Sequence, residues 1–252
     1  MSVVSVRNLV IRYGDFTAVD DISFEVNRGK VLGILGSNGA GKSSTLRVLA
    51  GVIPPFSGNV LINGIDVTAP DKVDKAREII GYCPDVGGLI KTATIREHIG
   101  ITLSLHRKLH LWNQALELVD RFDLMDFLDK PTGGFSHGMS RRLSVILAAL
   151  SAQDVLILDE PFDGVDPNGV NTTIDIINEA TSSGLGVILS THLQTLLTRA
   201  SDTIAIMSGG KILEGGDARL FAGAEGETLY EQLIQKVSKS GDANVRTESA
   251  TQ

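Results

Sequence analysis

With a single cysteine, Cys83, no intramolecular disulfide can form, so this fold has to come from buried apolar surface and not from covalent staples. Clustered Lys and Arg are also missing, and the formal net charge is −7 with a pI near 5.2. Nucleic-acid phosphates require such a basic block, so nucleic acid is not expected as a partner. Long apolar runs are absent too. The longest stretch free of Asp, Glu, Lys and Arg, residues 180–198, contains Thr181, Ser182, Ser183, Ser190, Thr191, His192, Gln194 and Thr195, which makes it too polar to span a bilayer. The opening segment MSVVSVRNLV has no basic region, apolar core or small-residue cleavage site of a secretory signal. Together these absences predict a cytosolic chain.

What is present suits a packed α/β protein. Hydrophobic residues make up 42% and charged residues 21% of the 252 positions, enough for a sizeable core, and the length fits one principal domain carrying an inserted sub-domain. Alternation over Ser5 to Ile11 and Ile22 to Val26 predicts two strands, and the apolar run Val31 to Leu35 a buried one. Leu46, Leu49 and Ala50 recur at helical spacing until Gly51 and Pro54-Pro55 stop them. Segment 92–150 reads as mostly helical, with Thr94 as a cap, the set Ile95, Ile99, Leu103, and a second helix through Leu116, Leu118 and Val119. Strands at Val155 to Leu158, Val187 to Leu189 and Ile204 to Met207 then alternate with helices at Val170 to Ile177 and from Leu193, the pattern of a mostly parallel sheet flanked by helices. From Ser238 the chain loses apolar periodicity, so residues 238–252 are expected to be a flexible tail.

Two segments carry chemistry. Gly36-Ser37-Asn38-Gly39-Ala40-Gly41-Lys42-Ser43 matches G-x-x-x-x-G-K-[ST] between a predicted strand and a predicted helix, with Ser44 just inside that helix. Glycines there let backbone N–H groups wrap phosphate oxygens, the helix start adds partial positive charge, Lys42 reaches the β- and γ-phosphates, and the Ser43 hydroxyl ligates Mg²⁺. The bland alternative, a chance glycine turn, would arise in roughly one chain in a hundred of this size from residue frequencies. Val155-Leu156-Ile157-Leu158-Asp159-Glu160 is a buried strand ending in two carboxylates. Asp159 suits a metal ligand and Glu160 a general base, although such acids can also cap the following turn.

Further elements in the same order make the chain resemble the ATPases of ATP-binding cassette (ABC) transporters over about residues 3 to 215. Phe135-Ser136-His137-Gly138-Met139 resembles the family signature written LSGGQ, and Ser190-Thr191-His192 its switch histidine. The resemblance implies that Ser136 and Gly138 of one subunit close on the γ-phosphate held by the other, that His192 contacts that phosphate, and that Tyr13 stacks on adenine. It also implies that Pro161 to Pro167, with Asp166, forms a dimer-contact loop. Each has a plainer reading: Ser136 as a helix cap, His192 as a surface residue, Tyr13 as strand packing.

Gly81-Tyr82-Cys83-Pro84-Asp85 stands where the family carries a glutamine near Mg²⁺ and the attacking water. Asp85 could bind the metal or simply face solvent. Together with FSHGM and PFDGVDP, this variation is similar to subunits of ABC-2-type exporters. The implied fold is a P-loop NTPase core with a parallel sheet flanked by helices, an antiparallel β sub-domain, and a helical sub-domain at about 85–150, all within an ABC ATPase domain at 1–237. The implied function is Mg²⁺-dependent ATP hydrolysis powering export. A second nucleotide-binding subunit, expected to be another copy of this chain, and a separate transmembrane permease would be its partners, at the inner face of the cell membrane. A non-catalytic nucleotide switch and a soluble ABC ATPase remain the alternatives. His98, His106 and His110 lack carboxylate or cysteine companions at ligand spacing and read as a solvated helix face.

Overall fold

The computed structural model describes residues 1–233, so the expected tail, and the expected domain end at 237, lie outside the described residues. The chain opens with a hairpin, β1 (Ser2–Tyr13) and β2 (Phe16–Asn27), followed by β3 (Val31–Leu35), α1 (Lys42–Leu49), β4 (Ser57–Ile62), β5 (Ile65–Asp66), α2 (Val73–Arg77) and β6 (Ile80–Cys83). A helical stretch comes next: α3 (Ile95–Leu105), α4 (Trp112–Arg121) and α5 (His137–Ser151). The chain then alternates through β7 (Val155–Asp159), α6 (Pro167–Ser182), β8 (Gly186–Thr191), α7 (Gln194–Ala200), β9 (Thr203–Ser208) and β10 (Lys211–Asp217). Residues 223–233 are helical.

The strands form two sheets. One is antiparallel, in the order β2-β1-β4-β5. In the other, of order β10-β9-β3-β8-β7-β6, all neighbours run parallel except the β10 edge. The period of two along β3 explains how the layers meet. Val31 and Leu35 face a core shared with Ile95, Ile99, Leu143 and Ile146 of the helical side, while Leu32 and Ile34 face a second core with Val4, Val6, Leu46 and Val60. Both faces of β3 are therefore covered, which is why its five residues are all apolar or glycine. Because β3, β6, β7 and β8 are parallel, the ends at Leu35, Cys83, Asp159 and Thr191 lie along one edge of the sheet, the usual place for a site in such a fold.

Three of the helix starts, those of α3, α5 and α6, carry side-chain caps. Thr94 and Glu97 form a reciprocal capping box at α3, Ser136 accepts the Met139 N–H at α5, and Asp166 accepts the Gly169 N–H at α6 with Pro167 at the first helical position. The histidine expectation needs one correction. His98 is buried on α3, where its Nε2 accepts the Ile90 N–H at 2.8 Å and its Nδ1 lies 2.7 Å from Thr94 O. That pairing assigns the neutral tautomer with a proton on Nδ1, so His98 fastens the loop before α3 and is not part of a solvated face. Among the described residues, no helix is long and apolar enough to cross a membrane.

Candidate active site

The loop between β3 and α1 needs glycine where its backbone is forced. Gly41 has φ +103°, and a Cβ there would sit 2.6 Å from Ala18 O. This turn starts α1 at Lys42, leaving the first N–H groups of the helix facing outward for an anion. Lys42 is only 5% exposed. Its ammonium donates to Gly36 O at 2.7 Å and Ser37 O at 3.3 Å, and it lies 3.1 Å from Glu160 Oε1, an ion pair without hydrogen-bond alignment.

Opposite the loop, β7 delivers Asp159 and Glu160. Asp159 is fully buried. Its Oδ1 accepts from Ser190 Oγ at 2.6 Å and Ser43 Oγ at 3.1 Å, whereas Oδ2 has no partner. Burial raises the Asp159 carboxyl above its ordinary value; the Ser190 and Ser43 bonds oppose this, and the charges of Asp85 and Glu160 add to it. Glu160 has φ +48°, a left-handed conformation that costs a non-glycine residue on the order of 1–2 kcal/mol. Its N–H, bonded to Ser190 O and close to Ser190 Oγ, holds that turn. The turn leaves Oε1 beside Lys42 and Oε2 3.1 Å from Nδ1 of His192, the residue just beyond β8.

A pocket over the loop is lined by Tyr13, Phe16 and Ala18 from the hairpin, by Ser37 through Ser44, and by Asp85 and Glu160. Tyr13 is half-exposed, and its hydroxyl lies 3.3 Å from Ser44 Oγ. The fold thus gathers the P-loop residues, Tyr13, Asp85 and Glu160, with Asp159 and His192 bonded to the same cluster. Ser136 and Gly138 do not line this pocket. They begin α5, where Gly138 fits because a Cβ would sit 2.4 Å from Gly164 O, and His137 Nε2 lies 3.1 Å from Asp163 Oδ2. Asp85 does not simply face solvent: its Oδ1 accepts from Arg141 Nη2 at 2.9 Å.

No cluster of three or more His, Cys, Asp or Glu able to hold a metal occurs among the described residues. Ser43 Oγ and the unpaired Asp159 Oδ2 remain as two hard oxygen donors. That set fits Mg²⁺, which keeps several waters and takes few protein ligands beside phosphate. Sequence reasoning missed three residues here. Ser190, which braces both acids, stood two residues before His192 in a segment already singled out. Phe16 pairs with Tyr13 across the hairpin turn, an aromatic proximity that a hairpin reading could have found. Arg141 carried no signal, being one basic residue among others on a helix.

Comparison with known proteins places the chain among ATP-binding subunits of ABC transporters. The family model described as ABC transporter matches residues 19–163. The chain is 30% identical to the lipopolysaccharide export system ATP-binding protein LptB of Haemophilus influenzae, over 86% of this chain and 91% of that one. It is 31% identical to the Nod factor export ATP-binding protein I of Ralstonia nicotianae, over 95% of this chain and 79% of that one. A solved structure described as the ATP binding subunit of an ABC transporter superposes with a TM-score of 0.84 at 28% identity, covering 92% of this chain and all of that one.

Proposed function

The chain belongs to the ABC transporter family as an ATP-binding subunit whose hydrolysis of ATP powers transport, and we propose that it drives export from the pocket over the P-loop. Glu160 carries the reading: its carboxylate is held between Lys42 and His192, one residue from the unanswered Asp159 oxygen. In hydrolysis the water oxygen bonds to the γ-phosphorus as the bond to the bridging oxygen breaks, and Glu160 takes the water proton. His192 donates to Glu160 from Nδ1–H and fixes its orientation; contact with the γ-phosphate would require a proton on Nε2 as well, because phosphate oxygens only accept. Lys42 and the α1 N–H groups face the phosphates, and Tyr13 stacks on the base. Ser43 and Asp159 would hold Mg²⁺, which neutralises charge on the phosphate oxygens; Asp85 borders the same space.

Ser136 and Gly138 of a second copy supply the remaining contacts, with Asp166 in the loop between the copies. We read the described residues, 1–233, as belonging to one ABC ATPase domain, with the helical sub-domain at about 85–150. Export is supported by the names of the similar exporters. A permease partner at the inner face of the membrane is supported by the exposed apolar side chains Val86 and Ile90 before α3 and Ile101 and Leu105 on it. Steady-state phosphate release tests the base. Glu160→Gln should lose about 10²–10⁴-fold in turnover while still dimerising with ATP, and wild-type rates in that variant would sink the assignment. Detergent isolation of the tagged chain should bring down a polytopic membrane protein. Recovery of the chain with ribosomes or DNA would instead favour the soluble alternative.

A further inference from the structure

The pocket has a charge problem. Asp85 and Glu160 line it and Asp159 lies behind it, three carboxylates where a triphosphate adds several more negative charges. Lys42 answers Glu160. The other cation is Arg141, buried on the second turn of the helix that Ser136 begins. Its Nη2 donates to Asp85 Oδ1 at 2.9 Å and Asp85 O at 2.6 Å, and its Nη1 to Pro84 O at 2.7 Å and Asp159 O at 3.2 Å. One planar group thus binds the end of β7, the chain just past β6, and α5, and only one of its four bonds reaches a charged atom. A lysine could not span these acceptors at once.

We propose that Arg141 is a positioning residue of the ATP site: it neutralises and orients Asp85, so that an acidic side chain can border the triphosphate pocket without repelling the nucleotide. The inference rests on the reading of that pocket as the ATP site. Removing the arginine leaves Asp85 uncompensated beside the phosphates, and the penalty should grow with each phosphate charge. A purely structural arginine, needed for its three carbonyl bonds, would have no such dependence on the nucleotide.

The test titrates the full chain with fluorescent mant-ATP and mant-ADP in the presence of Mg²⁺, recording melting temperatures alongside. Arg141→Gln should weaken mant-ATP about a hundredfold and mant-ADP only about tenfold. The double variant Asp85→Asn with Arg141→Gln should recover to within about threefold of Asp85→Asn alone, because no unpaired charge remains. Equal losses for the two nucleotides, or a double variant as weak as Arg141→Gln, would overturn the proposal. If Arg141→Gln does not fold, restored folding in the double variant supports it and continued failure overturns it. Failure of the wild-type chain to bind mant-ATP would remove the ATP-site premise itself, an outcome visible before any variant is made.

Discussion

At the P-loop edge of the sheet the charged groups are buried and only partly answered. Lys42 and Asp159 are almost wholly removed from solvent, and Asp159 keeps an oxygen without a partner. At the start of α5 the Ser136 and His137 side chains are exposed and are answered within the chain, Ser136 Oγ by Met139 N–H and His137 by Asp163, while Gly138 is buried with no room for a Cβ beside Gly164. Desolvated charge is tolerated where a ligand repays its cost, whereas exposed polar groups can be satisfied locally and still meet a second surface. The same nucleotide, touched by both regions in the proposed dimer, would therefore depend on them differently: on the first for chemistry, on the second for shape.

Among substitutions that set the two regions apart, Lys42→Ala gives the largest expected effect. It removes the cation nearest Glu160 and a donor to the phosphates, so ATP turnover at saturating nucleotide should fall on the order of 10²–10³-fold in a phosphate-release assay. A loss under about tenfold would mean that the buried region is not the hydrolytic centre. Gly138→Ala comes next and tests the other region. The added Cβ meets the Gly164 carbonyl at 2.4 Å, and after the gain in helix propensity the net cost should be about 1–2 kcal/mol, a drop of several degrees in melting temperature. Binding of mant-ATP to the monomer should be unchanged while ATP-driven dimerisation weakens. Equal loss of both would erase the contrast.

How much of this was legible beforehand follows from the range of the interactions. The buried strand, glycine loop and helix at 31–50 were readable because period and loop chemistry are local, and the Thr94 cap was found at its place for the same reason. Asp159 and Glu160 could be suspected from a strand that ends in acids. Short edge elements such as β5 and α2 have too few residues for a periodic signal. His98 was misread because its burial depends on the loop at Ile90 folding back over α3. Arg141 was invisible because its partners lie 18 to 57 positions away along the chain, and no local pattern distinguishes such an arginine from Arg142 beside it.

The smallest expected effect compares two helix caps. Ser136 and Asp166 do the same work at α5 and α6, each accepting one backbone N–H from three residues on, and either substitution to Ala should cost about 0.5–1 kcal/mol at neutral pH. They differ in that only Asp166 titrates. The Gly169 N–H holds its carboxyl below the ordinary 3.8; partial burial opposes this, and Arg142 at 3.4 Å assists. Folding therefore weakens proton binding at Asp166. Its contribution is complete above the unfolded value of 3.8 and is lost as pH falls through the lower folded value. Urea unfolding midpoints across that range should show the gap between wild type and Asp166→Ala closing in acid, while the gap for Ser136→Ala stays constant. A Ser136→Ala gap that also closed would mean that the start of α5 senses charge after all, through His137 and Asp163, and the two regions would then differ in degree and not in kind.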